Sequence, residues 1–504
     1  MSRIAPISSS PENTGLMLAS RPVIYEINTW LWLRELSRRY DGPVTLGTIP
    51  PQEWDALAAL GLDAIWFMGI WERSPAGVAM ALKNETLQQA FLESLPDITM
   101  EDVVGSPYCV RRYQVDPALG GREGLAMARA ELARRGVAII LDFVPNHVAP
   151  DHPWILSHPE YFIQGSGDDL ARAPGEFFQA GSAVIANGRD PFFPPWPDVA
   201  QLNAFHAGLR GAIIDTLIDI GAQCDGLRCD MAMLLTTSVF GQTWGERAGT
   251  PPAQEFWLEI LPAVRAKHPH LRFIAEVYWD MEWAMQEQGF DYCYDKKLYD
   301  YLAHHTAKDV IAHLNADIGY QERLVRFIEN HDEPRAAGTF SREQARAVAV
   351  AALTLPGAKL LHQGQFEGFH VRLPVFLTRR PEESDDISLQ NFYRRLLPVL
   401  RLPPLRAGEW RACALNGWPD NTSFENLVAW CWRAGDDRAV VVVNLSAQPS
   451  QARVQLPWPD LAQQHWVFED RLAGQAYERS GDEILNMGLY VDLPPWGHHV
   501  FMVY

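Results

Sequence analysis

Over the first four-fifths of the chain, short apolar runs alternate with longer stretches whose apolar residues recur at helical spacing. The runs are Val23–Asn28, Ala64–Met68, Val137–Val144, Asp225–Cys229, Arg272–Glu276, Asp291–Cys293, Leu324–Ile328 and Lys359–His362. Near-continuous apolar character over so few residues predicts strands buried on both faces. Between two of them, Gly124–Arg135 brings Leu125, Ala128 and Leu132 onto one face before Gly136, and Ala204–Ile220 runs up to Gly221. A glycine just past such a stretch reads as a helix stop. Strand and helix repeated eight times predict an α/β fold, a (β/α)8 TIM barrel.

Two connections, about Glu72 to Pro107 and about Pro150 to Asn203, are too long for simple crossovers. Loops that follow barrel strands lie on the catalytic face, so both are expected on the pocket rim. The second is expected to form a small inserted domain over about 148–203, a compact lid. After about Pro403 the pattern shortens to strands such as Leu427–Trp432, Ala439–Asn444, Gln464–Phe468 and His498–Val503, without comparable helices. The chain therefore divides into an arm over residues 1–20, rich in Ser, Pro and Asn, a barrel over 21–403, and a C-terminal all-β sandwich domain over 404–504.

Composition narrows the functional classes. With 47% hydrophobic residues and 55 aromatics in 504, the chain can build cores of this size. Its net charge of −19 repels polyanions, so nucleic acid and acidic membrane surfaces are not expected partners, whereas a neutral or cationic ligand is. Cys109, Cys224, Cys229, Cys293, Cys413 and Cys431 form no CxxC pair or metal-ligand spacing and are expected as reduced thiols. No apolar leader and no long uncharged apolar run is present, which points to the cytoplasm. Nothing in the pattern sets an oligomeric state.

Polar residues where the apolar strands end carry the candidate chemistry. The third run leads through Asp142 to Asn146 and His147, and the fourth ends Gly226-Leu-Arg228-Cys-Asp230. Residues i and i+2 share a face of a strand, so Arg228 and Asp230 lie together, and a guanidinium there holds a carboxylate ionised as a nucleophile needs. The alternative is a structural ion pair. Glu276 lies among apolar and aromatic neighbours, where burial raises a carboxyl's pKa toward that of a general acid. Asn330-His331-Asp332 follows the seventh run. In a closed barrel Asp142, Asp230, Glu276 and Asp332 converge on one mouth. Two carboxylates about 5–5.5 Å apart would serve a retaining glycosidase.

These segments resemble, in order, the four conserved regions of the alpha-amylase superfamily, glycoside hydrolase family 13: Asp142-x-x-x-Asn146-His147, Gly226-x-Arg228-x-Asp230, Glu276, and Asn330-His331-Asp332. Trp196-Pro-Asp198-Val-Ala-Gln-Leu202-Asn203 is similar to the family's fifth region, and Gly357 and Gly364-Gln365 match near the eighth strand. The resemblance spans roughly Pro22 to Leu400. It implies Asp230 as nucleophile, Glu276 as general acid/base and Asp332 as the acid that binds sugar hydroxyls. It further implies a substrate-binding set of Tyr108, Asp142, His147, Arg228 and His331, with Tyr108 as an aromatic platform. Of Trp66, Trp71, Trp279 and Trp283, each is read as core or as sugar-stacking wall.

One departure bears on substrate and metal. Starch-degrading members commonly carry Lys-His three and four residues after the nucleophile, where Met233 and Leu234 stand here. That argues against endo-amylase activity and the usual calcium site. No cofactor and no metal ligand set is expected, Asn146 alone being a poor calcium site when the ion takes six to eight oxygens. The implied function is a retaining α-glycoside hydrolase on short α-glucosides or maltooligosaccharides. A transglycosylase, sugar isomerase or phosphorylase on the same fold stays open. A non-catalytic carbohydrate-binding or regulatory subunit is opposed by the retained Asp230, Glu276 and Asp332.

Overall fold

The computed structural model describes residues 15–504, so the arm expected over residues 1–20 lies for the most part outside the described residues. Eight parallel strands close into a barrel: β1 (Val23–Asn28), β2 (Ala64–Met68), β3 (Ala138–Phe143), β4 (Gly226–Cys229), β5 (Arg272–Ala275), β6 (Tyr292–Tyr294), β7 (Leu324–Arg326) and β8 (Ala358–His362). Each coincides with one apolar run to within two residues at either end. Period-two alternation sends Ile24, Trp66, Ile140, Ile274, Tyr294 and Leu360 into the barrel interior. On β4 the inward position belongs to Arg228, whose neighbour in register on β3 is Asp142.

Two glycines read as helix stops behave differently. The helix Gly121–Ala133 ends before Gly136, which is left-handed at φ 73°. Gly221, by contrast, is the last residue of the helix Ala207–Gly221 and has no positive φ. A Cβ there would stand 2.8 Å from the His268 ring, so the position needs smallness for packing rather than conformational freedom.

The barrel floor, where the strands begin, carries a repeated device. An aspartate just before each of β2, β4 and β6 accepts a hydrogen bond from a backbone N–H of the preceding strand segment. Asp63 takes that of Val23 at 2.7 Å, Asp225 that of Ile139 at 2.9 Å and Asp291 that of Phe273 at 2.8 Å. Each also holds its own arginine: Arg406 at 2.7 Å, Arg129 at 2.6 Å and Arg265 at 2.7 Å.

At the other end, both long connections are ordered. The first pairs Trp71–Arg73 with Val110–Val115 and packs Phe91, Leu95 and Val103 against Leu377 from the segment after β8. Asp102 ties the two together through Arg34 and Arg379, each at 2.9 Å. The second forms a five-stranded sheet from His147–Val148, Gln164–Gly165, Phe177–Ala180, Ala183–Gly188 and Trp196–Gln201. Beyond the barrel, a six-stranded and a three-stranded antiparallel sheet enclose a core that includes Val440, Val442, Phe468, Leu489 and Phe501. Trp432 anchors this domain by donating to the Thr354 carbonyl at 3.0 Å.

Candidate active site

A cleft of about 380 Å³ opens at the strand ends, and its walls include Tyr108, His147, Asp198, Asp230, Glu276 and Asp332. Five of these were anticipated from the sequence. The other three anticipated residues, Asp142, Arg228 and His331, are buried beneath the cleft and hold its walls in place. All eight are therefore gathered at one mouth.

Arg228 organises the floor of the cleft. Its Nη1 donates to Asp230 at 2.7 Å and lies 3.5 Å from Asp142, while Nη2 stands 2.8 Å from Glu276. Three carboxylates thus share one guanidinium, which lies over the rings of Tyr108 and Trp66 at 5.1 and 5.3 Å. Asp142 is further engaged by the Trp66 indole at 3.1 Å and the Gly69 N–H at 3.3 Å. Burial pushes its pKa up to about 6 against the pull of Arg228.

Glu276 sits just past β5. Its carboxylate accepts from the Met231 N–H and the Tyr278 hydroxyl, each at 2.7 Å. Met231, directly after Asp230, is left-handed at φ 41° and ψ 46°, a conformation a side chain adopts only at a cost of order 1–3 kcal/mol. That turn brings the N–H to Glu276 and links the two acids through one residue of backbone. Burial raises the Glu276 pKa to about 7, with Arg228 opposing and Asp230 and Asp332 reinforcing. The Asp230 pKa is raised by burial too, but the Arg228 charge and hydrogen bond counter it.

Asp332 has a different partner. His331 Nε2 lies 2.9 Å from Asp332 and 2.6 Å from the Tyr108 hydroxyl, and its Nδ1 bonds to Glu26 on β1. Burial opposes charge on this imidazole, yet the two flanking carboxylates hold its pKa well above the ordinary value. Asp332, half-exposed on the cleft wall, is drawn down to about 2 by His331. The Tyr108 ring stacks on His331 with centroids 5.4 Å apart. His147, with Trp196 edge-on at 5.3 Å, is kept neutral by burial, its pKa lowered to about 4.

Several contributors escaped the sequence reading. Glu26 is the one acid in an apolar strand, and Tyr278 shares a face with Glu276 by two-residue spacing; both signals were present. Asp198 and Trp196 stood within a recognised motif. Ser106 and Phe376 reach the cleft from irregular segments and had no such signal. Of the four tryptophans, Trp66 and Trp71 are core, whereas Trp279 and Trp283 are 37% and 53% exposed.

The oxygens present do not fit a calcium ion. Gln201, fully buried, donates from Nε2 to the Asn146 Oδ1 and carbonyl at 2.9 Å each and to the Leu202 carbonyl at 3.0 Å. The two hydrogens of one amide nitrogen are shared among three oxygens that a cation would otherwise draw in. Among the described residues no cluster of three His, Cys, Asp or Glu side chains is arranged around a metal position.

Comparison with known proteins agrees with this geometry. The chain is 24% identical over 440 residues to the alpha-amylase MalA of Haloarcula japonica, covering 86% of this chain and 56% of that protein. It is 32% identical over 459 residues to an alpha-1,4-glucan:maltose-1-phosphate maltosyltransferase of Streptomyces coelicolor, covering 84% of this chain and 60% of the relative. The chain thus spans somewhat over half the length of these relatives. Among solved structures, the maltogenic alpha-amylase AmyB of Thermotoga neapolitana superposes with a TM-score of 0.67 at 19% identity, covering 96% of this chain and 99% of that one. The model of the alpha-amylase catalytic domain matches residues 51–394, well over half of the chain and all of the barrel from the helix before β2 to the one after β8. On that match, and on a closed barrel with this carboxylate mouth, the chain belongs to the alpha-amylase family.

Proposed function

We propose that the protein is a retaining α-glycoside hydrolase acting on short α-glucosides or maltooligosaccharides through a covalent glycosyl ester on Asp230. The observation that carries the reading is the single Arg228 guanidinium bonded to Asp230 on one nitrogen and facing Glu276 on the other, with both acids on the wall of one cleft. Arg228 favours the ionised form of Asp230, which attacks the anomeric carbon. Glu276, with a pKa near 7, is protonated often enough at neutral pH to deliver its proton to the departing oxygen. Once the leaving group has gone, the Glu276 carboxylate takes a proton from water, which attacks the same carbon and frees Asp230. Asp332, kept ionised by His331, accepts hydrogen bonds from sugar hydroxyls as the ring gains positive character. Tyr108 and His147 supply the wall of the same subsite.

Transfer to an acceptor other than water uses the same intermediate. No lysine or arginine is among the described residues lining the cleft, where Asp198 adds a fourth carboxylate. A phosphate acceptor meets repulsion there, so hydrolysis or transfer to a neutral acceptor is favoured over phosphorolysis. The Gln201 amide supports activity without calcium. A cytoplasmic location is proposed with this activity, in keeping with six cysteines that form no disulfide among the described residues. The test is incubation with a panel of α-linked disaccharides and maltooligosaccharides, with and without phosphate, followed by chromatography of products. Glucose or a short oligosaccharide released irrespective of phosphate is expected; a sugar phosphate as the sole product would replace hydrolysis by phosphorolysis.

A further inference from the structure

The strand Glu409–Ala412 opens the C-terminal domain and forms the outer edge of its six-stranded sheet, where it pairs with Leu427–Ala434. Their register sets Trp410 opposite Trp432 and Arg411 opposite Cys431. The Cys413 N–H donates to the Ala429 carbonyl at 2.9 Å, which carries the same register two residues further. Residues opposite each other across antiparallel strands share a side of the sheet, and so do residues two apart. Cys413 and Cys431 are therefore diagonal neighbours on one face. Cys431 belongs to the apolar core of the domain, and Cys413 packs against that core. The two thiols are hydrogen-bonded to each other, and this contact, followed by burial, pushes the Cys413 pKa up.

This pair differs from the other four cysteines in its access to solvent. Cys109, Cys224, Cys229 and Cys293 are sealed inside the catalytic domain, whereas Cys413 is half-buried and Cys431 lies directly behind it. A solvent-borne oxidant meets Cys413 first. The position is also one where a cross-link has something to hold. Just past Cys413 the chain leaves the six-stranded sheet, and Leu415–Asn416 pairs with Ser450–Val454 in the three-stranded one. The strand before the crossover keeps three of its four residues exposed. A strand paired along one side with most of its residues in water is among the first parts of a sheet to open.

We propose that Cys413 and Cys431, reduced as the protein is made, form a reversible disulfide on exposure to a peroxide and so fasten the edge strand and its crossover to the sheet. The Cys413 sulfur attacks one peroxide oxygen, the O–O bond breaks, and the departing hydroxide takes the thiol proton, leaving a sulfenic acid and one water. The Cys431 sulfur then attacks the Cys413 sulfur, the S–O bond breaks, and the second hydroxide leaves as water with the Cys431 proton. Two thiols and one hydrogen peroxide thus give one disulfide and two waters. A dithiol reductant reverses the link and is itself oxidised to its disulfide. Because the bond ties two strands already in register, it restricts chiefly the unfolded chain and stabilises the folded one. Neither cysteine lines the catalytic cleft, and the proposal stands apart from the hydrolase reading.

The experiment treats the full-length protein with hydrogen peroxide, unfolds it in the presence of iodoacetamide to block the remaining thiols, and maps the unreduced peptides by mass spectrometry. The expected product is a pair of peptides joined through Cys413 and Cys431, lighter by two hydrogens and separated by dithiothreitol, with the other four cysteines alkylated. Oxidation should raise Tm by about 2 °C or more, and dithiothreitol should return it to the starting value. Cys413→Ser, at a half-buried position, should show neither the linked peptides nor the rise. In Cys431→Ala the reaction should stop at the Cys413 sulfenic acid, which dimedone traps. Six alkylated cysteines after peroxide overturn the proposal. So does Cys413 oxidised past the sulfenic acid, or joined to a second chain, while Cys431 remains alkylated. Linked peptides with no rise in Tm overturn the fastening role.

Discussion

The two ends of the barrel treat their acids in opposite ways. At the floor, Asp63, Asp225 and Asp291 each own an arginine and a backbone N–H. At the mouth, Asp142, Asp230 and Glu276 divide one arginine, and Asp332 leans on a histidine that also serves Glu26. One strand, β4, illustrates both: Asp225 just before it is fully paired, and Asp230 just after it is not. Paired acids fix register and strand order. Acids short of counter-charge keep displaced pKa values and the capacity to exchange protons or attack carbon.

The sharpest break of this comparison is between those two aspartates. Asp230→Asn keeps the side chain's shape but cannot form the ester, so kcat should fall by about 10⁴-fold or more with no loss of thermal stability. More than a hundredth of wild-type activity would exclude Asp230 as the nucleophile. Asp225→Asn should do the reverse. Leaving Arg129 without its charge partner costs about 3 kcal/mol in denaturant unfolding, while kcat per folded molecule stays within about twofold. Equal effects of both substitutions on kcat would erase the distinction between floor and mouth.

A smaller effect concerns protons at the mouth. Glu276 acts as an acid only when protonated, so kcat/KM should decline as pH rises through about 7. The Tyr278 hydroxyl donates to the carboxylate and favours its ionised form; Tyr278→Phe should therefore move that decline to higher pH by up to about one unit. Stability follows the same sign. The folded state holds the Glu276 proton more tightly than the unfolded chain, so the stabilisation from that proton is present below about pH 4.5 and is lost as pH rises through about 7. Glu276→Gln should thus gain stability relative to the wild type between pH 5 and 8. A pH-independent difference would contradict the raised pKa.

The smallest effect tests a neutral cluster lying between these extremes. EDTA should leave activity unchanged and shift Tm by less than about 1 °C, because the Gln201 amide already satisfies the oxygens around Asn146. Gln201→Asp replaces that donor by a carboxylate and should create a Tm that rises with added Ca²⁺. A Ca²⁺-reversible loss of wild-type activity in EDTA would reject the metal-free reading.

Most of the barrel was legible because strands buried on both faces leave apolar runs that little else imitates. The acids at their ends were legible because a charge at the close of such a run is conspicuous. The left-handed turn at Met231 was not, since nothing in a methionine announces positive φ, and it decides how Glu276 is held. Nor was the role of Gly221, whose constraint comes from His268, a strand and two helices further along the chain. Phe376 and Ser106 meet the cleft because two distant connections are joined, by the packing of Val103 on Leu377 and by an ion pair spanning 277 positions between Asp102 and Arg379.

The floor aspartates also bear on the order in which the barrel closes. Each clasp joins a strand to the one before it, yet the chain between the bonded groups differs: 18 positions from Phe273 to Asp291, 40 from Val23 to Asp63 and 86 from Ile139 to Asp225. Closing the longest loop costs roughly 1 kcal/mol more chain entropy than closing the shortest. The β5–β6 pair is therefore the natural nucleus. Of the three clasped pairs, β3–β4, separated by the inserted domain, is the slowest to close, and with it the junction that brings Asp142 beside Arg228, while the pairing of β1 with β8 across nearly the whole barrel completes the ring. Assembly and competence to react coincide: a chain that has not finished folding does not yet possess its reactive centre.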